Sequence, residues 1–86
     1  MKAKFRLRSG SKIELAVLDV SPIGCMVDCR GWNPEPDDRM LVQLDGLGSQ
    51  PATVVWVEGD QAGIAFEQLL HEGVLEQLKG SLARAA

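Results

Sequence analysis

The chain has 86 residues, 45% of them apolar and 24% charged, and a net charge of −3. That length supports one domain over residues 1–86 with a thin core, burying roughly 60% of the surface of the unfolded chain. No run of about 18 apolar residues offers a membrane span, and an acidic sum excludes a general DNA or RNA binder, which needs a broad basic face.

The first predicted element, KFRLR (residues 4–8), alternates charge with apolar side chains and reads as a half-exposed strand. It belongs to a basic start: five of the nine cations, Lys2, Lys4, Arg6, Arg8 and Lys12, fall in the first twelve residues. Lys4, Arg6 and Arg8 also interrupt any apolar run of signal-peptide length, so a cytoplasmic protein is expected. Ser9-Gly10-Ser11 is a turn. KIELAVLDV (residues 12–20) follows, with Ile13, Leu15 and Val17 on one face and Glu14 and Ala16 on the other.

A third strand is predicted over residues 24–30, with Cys25, Val27 and Cys29 on one face and Met26, Asp28 and Arg30 on the other. Four residues of strand span about 13 Å, and a disulfide needs its α-carbons within about 7 Å. Cys25 and Cys29 are therefore read as free thiols, which suits a reducing compartment. No further Cys or His cluster completes a metal site. Residues 31–39, with two prolines and several acids, form a loop.

MLVQL (residues 40–44) is a strand closed by Asp45-Gly46, and ATVVWVE (residues 52–58) is the segment richest in β-branched residues. Trp56 is assigned to the core and Trp32 to a loop anchor; two separated tryptophans make no base-stacking platform. Gly59-Asp60 makes a hairpin into AGIAF (residues 62–66). The period then lengthens: Leu70, Val74, Leu78 and Leu82, with Leu75 beside them, predict an amphipathic helix over residues 71–83. Gly73 and Gly80 weaken it by up to about 1 kcal/mol each, so its leucine stripe must pack on the sheet. Six antiparallel strands with short connections and one C-terminal helix predict a mainly β protein, a small barrel with the helix over an open end.

Catalytic patterns fail on inspection. His71-Glu72 opens an HExxH-like segment, but Leu75 stands where the second histidine belongs. Nothing orients His71 as a base for Cys25. Asp45-Gly-Leu-Gly48 leads into Pro51 and a strand, whereas a phosphate cradle needs helix amides. No catalytic residue is assigned, and the chain is not expected to be an enzyme.

The turn between the second and third strands is different. Asp19-x-Ser21-x-x-Gly24 offers a carboxylate acceptor, a hydroxyl and a residue that admits close backbone approach. Asp and Ser also stabilise turns through their own backbone bonds. Placed here, with Gly63-Ile64-Ala65-Phe66 as a closing G-x-x-F strand and a helix after it, the motif resembles the PilZ domain family over about residues 4–78. The resemblance implies a six-stranded antiparallel β-barrel in a bacterial signalling protein. It also implies cyclic di-GMP as the ligand, with Asp19, Ser21 and Gly24 facing it.

The family's R-x-x-x-R pair, found upstream of the first strand, has no counterpart here; the nearest spacings are Lys2/Arg6 and Lys4/Arg8. An arginine fork binds guanine or phosphate with two bonds, which lysine cannot. Losing both forks costs roughly 3–6 kcal/mol, about two to four orders of magnitude in affinity. Two functions are expected from this. One is a cyclic di-GMP receptor, with Lys4, Arg6 or Arg8 at the phosphates. The other is a PilZ-like adaptor that contacts a bacterial signalling or motility protein without nucleotide. A monomer or weak homodimer is expected, the latter through any unpaired edge strand.

Overall fold

The computed structural model describes residues 1–44 and 48–85, with the helix backbone alone for residues 81–85. The turn expected at Asp45-Gly46 and the side chain of Leu82 lie outside the described residues.

Six strands and one helix come in chain order: β1 (Lys2–Leu7), β2 (Lys12–Ser21), β3 (Gly24–Asp28), β4 (Arg39–Gln43), β5 (Ser49–Glu58), β6 (Gln61–Phe66) and α1 (Glu72–Ala85). All pairs are antiparallel, and the order β1-β2-β3-β6-β5-β4 closes on itself through β1 and β4. Closure gives each strand two neighbours, which removes the edge-strand route to dimerisation. β5 begins before the predicted run because Ser49 and Gln50 pair with Gln43 and Val42 of β4; Pro51, which cannot donate, is accommodated opposite Leu41 ahead of the first β5–β6 partner, Ala52. No described helix is long and apolar enough to cross a membrane.

Alternation decides what is inside. Ala3 and Phe5 of β1, Leu15 and Val17 of β2, Cys25 and Val27 of β3, Met40 and Val42 of β4, and Ala52 and Val54 of β5 all point into the barrel and are buried. Cys25 and Cys29 are free, although β3 ends at Asp28, short of the predicted residue 30, and leaves Cys29 just beyond the strand. Burial pushes the Cys25 thiol up to about 12.

Two regions plug the ends. At one, Trp32 of the loop after β3 packs on Phe5 with ring centroids 6.0 Å apart, so Trp32 is the anchor expected of it. That loop is tied to β5 by the Asp37 N–H to Val54 carbonyl bond and the Val54 N–H to Asp38 carbonyl bond. Asp37 holds a positive φ of 76° there, a conformation that Asp tolerates better than most residues. At the other, α1 packs beside β2, with Leu75 and Leu78 in the core. His71 is exposed just before α1, and its Nδ1 accepts the Gly73 N–H at 3.1 Å, satisfying one of the orphan donors of the first turn.

Truncating Phe5, which is fully buried, is expected to cost about 3–5 kcal/mol, most of the stability of a small domain. Urea unfolding of Phe5→Ala checks this by a midpoint moved close to zero denaturant. Cys25 gives a pH-dependent effect. Its folded thiol keeps its proton from the ordinary value of 9.0 up to about 12, while the unfolded thiol has already lost it. Stability present below pH 9 therefore falls across about pH 9–12. Chemical denaturation of wild type and Cys25→Ala should show a steeper alkaline decline in the wild type.

Candidate functional site

β2 and β3 meet at the turn that the sequence singles out. Ser21 pairs with Gly24, Val20 with Cys25 and Asp19 with Met26. Between Val17 and Asp19 the register shifts, leaving Leu18 as an extra residue on β2. That bulge sets the direction of Asp19. Leu15 and Val17 point inward, so simple alternation would bury Asp19; the extra residue turns it outward and returns Val20 to the core.

Exposed Asp19 accepts the Val20 N–H on Oδ1 at 2.9 Å, and no donor among the described residues engages Oδ2. Ser21 is half-buried and donates its hydroxyl to the Gly24 carbonyl at 3.3 Å. Gly24 lies against β6 so closely that a Cβ would collide with the Ile64 carbonyl oxygen. The turn's carbonyls are also used: Ile23 accepts the Phe66 N–H and Pro22 accepts the Leu70 N–H, both at 2.9 Å. The turn thus clamps the segment that leads into α1.

An open groove of about 270 Å³ runs from this turn across β3 and β6 to β5. Asp19 is the one charged side chain among the described residues that line it. Its far wall is Trp56, which corrects the expectation of a core tryptophan. Ala52 and Val54 face inward, and unbroken alternation would send Trp56 there too. The β5–β6 register shifts between Val54 and Trp56, so Val55 is an extra residue and Trp56 emerges on the outside, 38% exposed. The pyrrole half of its indole fills the space over Gly63 that a Cβ would need. Sequence reasoning missed Trp56 as a groove residue because a bulge leaves no mark in the hydropathy pattern. The one available signal was Gly63, a glycine inside a strand.

The predicted cations are elsewhere. Lys4 pairs with Glu14 and Arg6 with Lys12, five and seven residues back along β2 from Asp19. At about 3.3 Å per residue they stand about 17 and 23 Å from the turn along the strand. Lys4 and Arg6 line a second groove with Lys12 and Leu41 on the β1–β2–β4 wall. Arg8 lies further still, beside Trp32, Asp37 and Arg39. The register therefore brings Asp19, Ser21 and Gly24 together and leaves Lys4, Arg6 and Arg8 apart from them. Strand direction is the reason: β1 runs antiparallel to β2, so its later residues move away from the turn. Arg30 is committed too, since it forks onto Asp28 at 2.7–3.1 Å and its guanidinium holds that carboxyl below its ordinary value.

A family model described as PilZ domain matches residues 2–84. The chain belongs to the PilZ domain family. A search of curated proteins and one of solved structures gave no match. PilZ domains are binding and adaptor modules rather than enzymes, and the family is one of cyclic di-GMP-binding signalling modules. The barrel, its closing helix and the position of the turn are those expected from the resemblance.

The two glycines of this PilZ groove should respond differently to alanine. At Gly24 the obstacle is backbone, so β3 and β6 must part; Gly24→Ala is expected to lose about 1–3 kcal/mol. At Gly63 the obstacle is the end of the Trp56 side chain, which can swing away. Gly63→Ala should cost less and shift tryptophan emission to the red, as read by fluorescence during thermal unfolding.

Proposed function

We propose that this domain is a bacterial, cytoplasmic PilZ receptor for cyclic di-GMP, in which the Asp19–Ser21–Gly24 turn takes a guanine and a protein partner supplies the cations for the phosphates. The observation behind it is Asp19, turned outward by the Leu18 bulge with Oδ2 open beside a groove. A carboxylate accepts through both oxygens, and guanine's pairing edge carries adjacent N–H donors. The groove falls just short of the roughly 300–1,000 Å³ of whole-ligand sites and suits one base.

No Lys or Arg is among the described residues that line the same groove. A doubly anionic ligand then meets Asp19 with nothing to offset it, so the domain alone binds weakly. The adaptor reading has its own support in the apolar groove rim, where Ile23 is 64% exposed and Val55 57% exposed. In that reading the rim contacts a signalling or motility protein directly.

Titration with cyclic di-GMP, followed by backbone amide shifts, separates the two. The receptor reading expects Asp19, Ser21 and Gly24 to shift with a dissociation constant above about 100 μM, two or more decades weaker than a micromolar binder. Asp19→Ala should abolish those shifts. No response at millimolar ligand removes the receptor reading and leaves the adaptor. Micromolar binding by the isolated domain would overturn the requirement for outside cations.

A further inference from the structure

The second groove is built of charge. It lies across β1, β2 and β4 with a volume of about 460 Å³, and Lys4, Arg6 and Lys12 meet one carboxylate there, Glu14, among the described lining residues. This cationic excess stands on a chain whose net charge is −3. Two rows cross the wall. In the first, Lys4 has Gln43 on one side and Glu14 on the other. In the second, Arg6 has Leu41 on one side and Lys12 directly opposite on the other. Lys4, Arg6 and Lys12 are all exposed. None of the three forms an ion pair with a described residue, and Glu14 is engaged by Lys2 at 3.8 Å instead.

Like charges directly opposite on an antiparallel pair are destabilising. A wall shaped for stability alone would set a carboxylate against Arg6, as it sets Glu14 against Lys4. The uncompensated row therefore calls for an anion from outside. We infer that the β1–β2–β4 wall docks an extended acidic segment of a partner protein, with a carboxylate between Arg6 and Lys12. Strand periodicity suits that occupant. Lys4 and Arg6 are two residues apart, about 6.6 Å, the repeat at which an extended chain shows side chains on one face. Gln43 and Ser49 add an amide and a hydroxyl for its backbone, and Leu41, 38% exposed, adds an apolar contact. Phe5 is turned inward, so a nucleic-acid strand finds no ring to stack on. One exposed leucine offers a bilayer little apolar surface to bury. The site is separate from the Asp19 turn, and the inference goes beyond the nucleotide reading without resting on it.

The test uses the whole chain with a synthetic peptide of alternating Glu and Ser as probe, followed by backbone amide shifts. Shifts should gather on β1, β2 and β4 and fade as added salt shortens the screening length. Lys12→Glu is the decisive variant. It sets a carboxylate opposite Arg6, so its urea midpoint should rise above that of wild type. Its peptide binding should nevertheless weaken by about 2- to 30-fold, two exposed charge-pair effects. Glu14→Gln should tighten binding by about 1.4- to 5-fold. No wall shifts at millimolar peptide, equal binding by Lys12→Glu, or a lowered midpoint in that variant overturns the proposal. So does tighter binding at the same wall of oligothymidylate, or of vesicles of equal parts phosphatidylglycerol and phosphatidylcholine. Wall amides that move with protein concentration alone make a second copy the occupant and overturn it too.

Discussion

A closed six-stranded barrel is governed by parity: each strand must send every second residue inward, and closure leaves no edge at which an error can be absorbed. The core depends on it. Phe5, Val27, Val42 and Val54 are fully buried because each sits at an inward position of its strand. The groove depends on the two places where parity is broken. Leu18 and Val55 are 41% and 57% exposed, an apolar exposure that accompanies the outward turn of Asp19 and Trp56. On β2 the added residue shows Asp19 to solvent and returns Val20 to the core, whereas on β5 Val57, which follows Trp56, stays exposed.

The groove floor obeys a second constraint, the distance between backbones. Gly24 lies on the Ile64 carbonyl and Gly63 lies under an indole. Their lack of Cβ atoms is what makes the surface concave. The turn above that floor is also tied to the end of β6 and the segment beyond it, through the Ile23 and Pro22 carbonyls. Leu70, one of the two donors, is itself in the core, and Leu75 and Leu78 of α1 come soon after it. Anything that reshapes residues 21–24 therefore pulls on hydrogen bonds at the base of the helix.

Much of this was legible in the residues, for physical reasons. KFRLR shows its parity because charged and apolar side chains alternate without exception. The leucine stripe of α1 shows its period because only one helix face is buried. The D-x-S-x-x-G turn is visible because Asp, Ser and Gly each have a backbone role. The free state of Cys25 and Cys29 was expected from strand spacing, although Cys29 falls just beyond the end of β3. Trp56 was misplaced because a β-branched run such as ATVVWVE is apolar on both faces, so no contrast reveals an inserted residue. The separation of Arg6 and Arg8 from Asp19 was hidden for another reason. Charge clustering along a chain says nothing about register, and antiparallel pairing carries the later residues of β1 away from the end of β2.

That separation fixes the electrostatics of the groove. Lys4, Arg6 and Lys12 gather on the wall across β2 from it, with Lys2 partly occupied by Glu14 at 3.8 Å. Lys4, Arg6 and Lys12, about 17–23 Å from Asp19 along the strand, and Lys2, opposite Ala16 and about 10 Å from it, all lie beyond the roughly 8 Å screening length at physiological salt. The basic wall therefore cannot offset charge at Asp19. A neutral base edge gains from that carboxylate, whereas a phosphate beside it loses. Among the described residues that line the groove, Asp19 therefore carries its negative charge with no cation beside it. The separation of the basic wall from Asp19 is then a consequence of the antiparallel register of β1 and β2.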